Sequence, residues 1–193
     1  MRIVGGKHKG RALSAPKGRD TRPTSDRARE AMFNVLEHGV PGPGLRDARV
    51  IDVFAGTGAL GLEALSRGAE HATFVENNRG ALKVLGDNIN TLNEAAHSSV
   101  LSTKAVAIPA PVLAPVLAPV LAPVDYAFLD APYDKGLSTP ALAALADQGW
   151  LAPDAVVLVE VAADESLPLP EGFNAVKEKT YGAARAVFLT YRP

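Results

Sequence analysis

Asp130-Ala131-Pro132-Tyr133 follows the apolar run from Asp125 to Leu129, so a carboxylate, a proline and an aromatic ring stand where a strand ends. That combination suits methylation of an exocyclic amine on a nucleobase. The lone pair of such an amine is delocalised into the ring. A carboxylate and a neighbouring carbonyl that accept its two N–H bonds localise the pair for attack, and Tyr133 can stack on the base. Pro132 fixes its own φ and pushes Ala131 into an extended conformation, which aims the Ala131 carbonyl beside the Asp130 side chain. The same four residues also make an ordinary turn, so the tetrad gains meaning only beside a methyl donor.

A donor site is legible in the segment Asp52-Val53-Phe54-Ala55-Gly56-Thr57-Gly58-Ala59-Leu60-Gly61, which joins a strand to a helix. Gly56 and Gly58 allow a tight turn and close approach of a ligand, at the carboxyl ends of parallel strands where open α/β sheets bind ligands. Gly56-x-Gly58-x-x-Gly61, with Glu76 twenty residues beyond Gly56, also matches a dinucleotide fingerprint. A nicotinamide enzyme, however, holds a pyrophosphate, which gains nothing from an acid four residues before the first glycine. S-adenosyl-L-methionine instead carries a sulfonium and an ammonium, which Asp52 can face, and ribose hydroxyls, which Glu76 can accept. The acid at the strand end therefore favours the methyl donor, with Phe54, Ala55 and Asn77 as further cofactor contacts. Asn77 and Asn78 have the plainer reading of strand terminators.

The elements that must position these groups follow from periodicity. Strands are predicted at 50–54, 72–76, 99–102, 125–129 and 155–161, and helices at 60–67, 79–95 and 139–148, an alternation that implies a parallel sheet covered by helices on both faces. Two last runs, 174–180 and 186–191, predict an antiparallel hairpin that closes the sheet. The fold expected is a Rossmann-like α/β domain with a mostly parallel seven-stranded sheet over 45–193. Before it, 2–5 and 11–14 read as two short strands and a helix starts at Thr24 or Ser25 and runs to about Glu37, giving a small basic module over 1–40 that Pro41-Gly42-Pro43-Gly44 ends. Within 109–124 a four-residue repeat carries a proline in every copy. A regular helix there would cost about 3 kcal/mol per interior proline, so an extended path replacing a crossover helix is predicted.

A chain of 193 residues with 47% hydrophobic content can build one full core. It has no cysteine, and its four histidines, His8, His38, His71 and His97, show no ligand spacing, so neither a disulfide framework nor a metal is expected. No apolar run is long enough for a membrane span, and a cytoplasmic monomer is expected. The net charge of −1 conceals an asymmetry: residues 1–29 hold nine Lys or Arg against Asp20 and Asp26, so this arm is +7 and the rest is −8. A basic arm on an acidic body is the footprint of nucleic-acid contact at one face, with Arg2, Lys7, Lys9, Arg11, Lys17, Arg19 and Arg22 as the contacting residues. A solvated tail is the plainer reading.

Across most of its length the chain resembles the RsmD family of bacterial 16S ribosomal RNA guanine-N2 methyltransferases. The resemblance rests on Met1-Arg2-Ile3-Val4-Gly5-Gly6-Lys7, Thr21-Arg22-Pro23-Thr24, Arg29 to Asn34, Asp52 to Gly61 and Glu63 to Ala69. It implies that the basic arm grips 16S rRNA, that the Thr21 to Thr24 segment borders the cofactor and target base, with Thr24 as a cofactor contact, and that the substrate is one guanine of the small ribosomal subunit or an assembly intermediate. Three positions depart from the family pattern. Ala131 replaces a proline, Ser102-Thr103-Lys104 carries no acid for the cofactor adenine, and the proline repeat stands where the family has a helix. Two other functions fit the same residues: methylation of adenine N6 in DNA, and a non-catalytic RNA-binding assembly factor that retains the fold. Trp150 and Phe128 read as core, Glu63 as an ordinary exposed helix residue, and Arg29 as the partner of an acid on its own helix.

Overall fold

The computed structural model describes residues 1–15, 25–111 and 123–193. Lys17, Arg19, Arg22 and Thr24, and the proline repeat from 112 to 122, lie outside those residues. In chain order the elements are α1 (Asp26–His38), β1 (Arg49–Val53), α2 (Ala59–Ser66), β2 (His71–Glu76), α3 (Arg79–Thr91), β3 (Ser98–Ser102), β4 (Val124–Asp130), α4 (Ser138–Asp147), β5 (Leu151–Ala162), β6 (Phe173–Tyr181) and β7 (Ala184–Tyr191). The seven strands form one sheet in the order β3-β2-β1-β4-β5-β7-β6. Pairing is parallel from β3 to β5 and antiparallel for β7 and β6, as the sequence predicts.

Strands of a sheet covered on both faces read as near-continuous apolar runs, and Val50, Ile51 and Val53 of β1 are all at most 1% exposed. Alternate residues divide between two cores. Val50, Phe74, Phe128, Leu158 and Phe188 share one cluster with Met32 and Phe33 of α1, Leu62 and Leu65 of α2 and Leu85 of α3. Ile51, Val53, Val75, Leu129 and Val157 share the other with Leu142 and Leu145 of α4 and with Trp150. Phe128 and Trp150 are thus core residues, each contributing about 1.5–3 kcal/mol by burial. Ser25 caps α1 as the sequence implies, its Oγ accepting the Ala28 N–H at 3.1 Å, and Asn78, read from the sequence as a strand terminator, also caps α3, its Oδ1 accepting the Ala81 N–H at 3.0 Å.

Three boundaries differ from expectation. The N-terminal strands reduce to a single antiparallel bridge, Arg2 to Ala12, around a one-turn 3-10 helix at Gly6–His8. This hairpin packs onto α2 so closely that a Cβ on Gly6, at φ 71°, would lie 1.8 Å from the Ser66 carbonyl oxygen. Ile3 and Leu13 enter the first cluster, so the arm shares the core of the sheet. Helix α3 stops at Thr91 instead of Ala95, because Asn93 adopts φ 58° and Glu94 N–H turns back to the Ile89 carbonyl at 3.0 Å. Strand β5 begins at Leu151, four residues early. Pro153 is tolerated because the β4–β5 register shifts between Val124 and Tyr126.

Candidate active site

The strand order reverses between β1 and β4, where open α/β sheets place their ligands, and both sequence motifs sit at the carboxyl ends of these two strands. Residues paired across a sheet share a face. The pairs Asp52 with Phe74 and Phe128, Asp130 with Glu160, and Glu76 with Ser102 therefore put four carboxyls on the face covered by α1 and α2. Glu76, Asp130 and Glu160 end their rows at the rim, while Asp52 lies one layer below. Phe54 breaks the alternation. Its φ of 64° turns the ring toward the second cluster and opens the position between Glu76 and Asp130.

The loop from Ala55 to Gly58 is held from beneath. Glu76 Oε2 accepts the Gly56 N–H at 2.9 Å, and Oε1 accepts the N–H groups of Asn77 and Asn78 at 2.8 and 2.7 Å. A carboxylate offers about four acceptor positions, so Glu76 keeps roughly one for a ligand hydroxyl. Asp52 is 1% exposed and its Oδ2 accepts the Gly61 N–H at 2.8 Å, which makes it the anchor of the first turn of α2 and sets it behind the loop, away from any open wall. Burial pushes the Asp52 carboxyl up to about 8; the Gly61 N–H opposes this and the Glu76 charge adds to it. The folded chain therefore holds a proton between about pH 4 and 8 that the unfolded chain has released, and this group subtracts stability as pH rises through that window. Asp52→Asn should reduce the slope, leaving the part that Asp130 contributes: thermal melts from pH 5 to 8.5 are expected to show a Tm advantage of the variant that grows with pH, and a constant difference would refute the assignment.

Gly58 is required twice over. It sits at φ 80°, and a Cβ there would lie 2.4 Å from Cδ1 of Leu85. Gly58→Ala should cost about 2 kcal/mol or more, a Tm fall of roughly 4–8 °C in a melting experiment.

On the other side of the switch point, Ala131 is 5% exposed and Pro132 and Tyr133 lie past the end of β4. The Tyr133 hydroxyl donates to Glu160 Oε1 at 2.5 Å. Burial, then the charges of Glu160 and Asp52, hold the Asp130 carboxyl well above the usual carboxylate range. A cation or an N–H donor arriving at this rim relieves that repulsion.

The basic arm is less free than its composition implies. Arg2 pairs with Asp26 at 3.1 Å, Lys7 with Glu94 at 2.7 Å, and Arg11 donates to the Thr91 carbonyl at 3.1 Å, while Lys9 is exposed. Arg2 and Lys7 remain more than half exposed; the Arg2 pair is a surface one worth about 0–1 kcal/mol that can give way to a phosphate, whereas the carboxylate that holds Lys7 and His8 is only 2% exposed.

Several residues that support the site escaped the sequence reading. Asn88, 1% exposed, donates to the carbonyls of Thr57 and Ser14 at 2.9 and 3.1 Å and accepts the Ser14 N–H at 2.8 Å, tying the glycine loop to the N-terminal hairpin. Glu63 is fully buried, not exposed; it accepts the Val4 N–H at 2.8 Å and pairs with Arg67 at 2.8 Å. Arg29 meets Asp26 on its own helix at 2.9 Å, as expected, and Glu63 at 3.8 Å as well. An Asn or Glu on an otherwise apolar helix stripe was the available signal. Lys104 is exposed just past β3, and the Thr103 hydroxyl donates to the Ala107 carbonyl at 3.3 Å. A shallow depression of about 620 Å3 lies at the opposite end of the sheet, lined by Pro41, Asp125, Ala155 and Thr190, far from both motifs.

Residues 1–190 match a family model described as Conserved hypothetical protein 95. The Escherichia coli K12 protein named ribosomal RNA small subunit methyltransferase D is 38% identical over 183 residues, covering 94% of this chain and 85% of that protein. The Bacillus subtilis protein named putative rRNA methyltransferase YlbH is 34% identical over 186 residues and 94% of each chain. Among solved structures, the putative methyltransferase yhhF from Escherichia coli superposes with a TM-score of 0.80 at 35% identity, covering 100% of this chain and 98% of that one.

Proposed function

We propose that this chain, which belongs to the conserved hypothetical protein 95 (RsmD) family, transfers a methyl group from S-adenosyl-L-methionine to the exocyclic N2 amine of one guanine in 16S rRNA, acting as a cytoplasmic monomer on the small subunit or an assembly intermediate. The single observation that carries the reading is the shared rim: Asp130 and the Ala131 carbonyl stand across the switch point from the Gly56 to Gly58 loop and Glu76. The names of the Escherichia coli and Bacillus relatives support rRNA as the substrate class.

The residues present fit the donor. Its charge suits an acidic rim, behind which Asp52 anchors the loop through the Gly61 N–H, and Glu76 retains an acceptor for a ribose hydroxyl. Ala55, Gly56, Gly58 and Asn77 offer backbone groups at close approach, and Thr103 or the backbone beside Lys104 takes the adenine in place of an acid. S-adenosyl-L-methionine supplies a methyl group bound to a positively charged sulfur. Asp130 and the Ala131 carbonyl accept the two N–H bonds of the amine, which directs its lone pair at the rim, and Asp130 takes the proton released as nitrogen gains the methyl. Tyr133 stacks on the base, Thr24 borders the cofactor, and Lys7, Lys9, Arg11, Lys17, Arg19, Arg22 and Arg2 contact phosphates. Positioning supplies most of the rate, because no base need act before attack.

The test is transfer of labelled methyl to unmethylated small subunits, with mass-spectrometric identification of the modified nucleoside. N2-methylguanine at one site supports the reading. N6-methyladenine in DNA, or cofactor binding without transfer to any RNA, overturns it.

A further inference from the structure

The loop that carries Ala131 to Gly136 is tied to the neighbouring strand β5. Asp134 sits at φ 56°, and Pro132 has no N–H to donate. Two carboxylates, at the end of β5 and in the turn after it, reach the loop. Glu160 Oε1 accepts the Tyr133 hydroxyl at 2.5 Å, and Glu165 Oε2 accepts the N–H groups of Asp134 and Ala162, both at 3.2 Å. Glu160 is 4% exposed and paired in register with Asp130 on one side and with the small, buried Ala186 on the other. Burying a second carboxyl beside Asp130 is costly, and an apolar residue would complete the same strand at less expense. Nor does the sheet require it, since the backbone pairing there is independent of the side chain.

We propose that Glu160 is a positioning residue, whose carboxylate fixes the Tyr133 ring at the angle at which a base stacks on the ring while its amine edge meets Asp130. This inference rests on the methyl-transfer reading for its catalytic consequence, though not for its structural one. A tyrosine past a strand end has two freely turning side-chain torsions; a hydrogen bond from its hydroxyl to a group fixed in the sheet removes both. Ring orientation then comes from β5, while the carboxylate and carbonyl that hold the amine come from β4, so the pairing of two neighbouring strands sets the distance between stacking and amine recognition. Because Glu160 lies on β5, two strands from the β1 end that carries the cofactor loop, loss of the bond is expected in turnover and not in donor affinity.

Four variants, Glu160→Ala, Glu160→Gln, Tyr133→Phe and the Glu160→Ala/Tyr133→Phe double, separate this role from a merely structural one. Glu160→Ala and Tyr133→Phe are each expected to lower kcat about 10- to 100-fold with KM for S-adenosylmethionine unchanged. The double variant should fall no further than the worse single, because both remove one bond. Glu160→Gln, whose amide oxygen still accepts the hydroxyl, should recover most of the loss. Hydrogen exchange over 130–136 gives a second readout that needs no substrate: Glu160→Ala should raise exchange there about tenfold and leave the Gly56 to Gly58 loop unchanged. Additive losses, an unrescued Glu160→Gln, or unaltered exchange over 130–136 would each overturn the proposal. If wild-type protein transfers no methyl to small subunits, the methyl-transfer reading fails on its own, and the exchange result alone decides whether Glu160 holds Tyr133.

Discussion

Asp130→Ala will lower methyl transfer to the small subunit by about 10²- to 10⁴-fold while the protein stays folded and still binds its donor. The magnitude is that of removing a group that both orients the reacting atom and accepts its proton. Retained folding is expected because the Asp130 carboxyl is an electrostatic liability in the resting protein. Its repulsion with Glu160 and Asp52 disappears on truncation, so the melting temperature should hold or rise. Asp130→Asn gives the intermediate case. Its amide oxygen can accept one N–H of the amine but its nitrogen cannot take a proton, so a smaller loss than for Ala points to orientation and an equal loss to proton acceptance. Single-turnover assays with isothermal titration of the donor separate the two. Activity of Asp130→Ala within tenfold of wild type would remove the tetrad from the chemistry.

Glu63→Ala is expected to be the most destabilising single change outside the apolar core, at about 3–5 kcal/mol, or roughly 10 °C in Tm. The carboxylate is wholly enclosed and neutralises two guanidiniums, those of Arg67 at 2.8 Å and Arg29 at 3.8 Å, while accepting the buried Val4 N–H. Truncation would leave Arg29, only 1% exposed, with less compensation for its charge. Among the described residues its Nε and Nη1 already lack hydrogen-bond partners, and its Nη2 reaches only the Arg2 carbonyl and Asp26. Glu63→Gln keeps an acceptor for Val4 and should lose about half as much. Denaturant unfolding measures both; a loss below about 1 kcal/mol for Glu63→Ala would show that Arg29 finds another counter-charge.

The rim was legible in the sequence because its signals are local. Glycines at a strand end, an acid before them and an Asp-x-Pro-aromatic turn each constrain their own backbone, and the alternation of strands and helices then dictates that they meet. The supporting groups were not legible, because each acts across a long separation in the chain. Glu63 looks like a solvent-facing charge on α2 until the N-terminal hairpin covers it. Asn88 looks like a polar interruption of the α3 stripe until Thr57 and Ser14 arrive at its amide. Glu160 reads as the polar end of a strand until Tyr133 reaches over from β4. The partners of Arg2, Lys7 and Arg11 were hidden in the same way, since a sum of charges does not say which cations are already paired. The β5 start was missed for the opposite reason: Pro153 carries a strong local breaker signal that a register shift in the sheet overrides.

The seating of the N-terminal hairpin has a consequence for synthesis. Its contacts with Ser66, Asn88 and Glu94 span 58, 74 and 86 residues of chain. The hairpin therefore has nowhere to dock until α3 has followed it out of the ribosome, and Ile3 and Leu13 stay wet through that interval. Loop closures of this length slow folding, and exposed apolar groups on a nascent chain invite chaperones and misassociation.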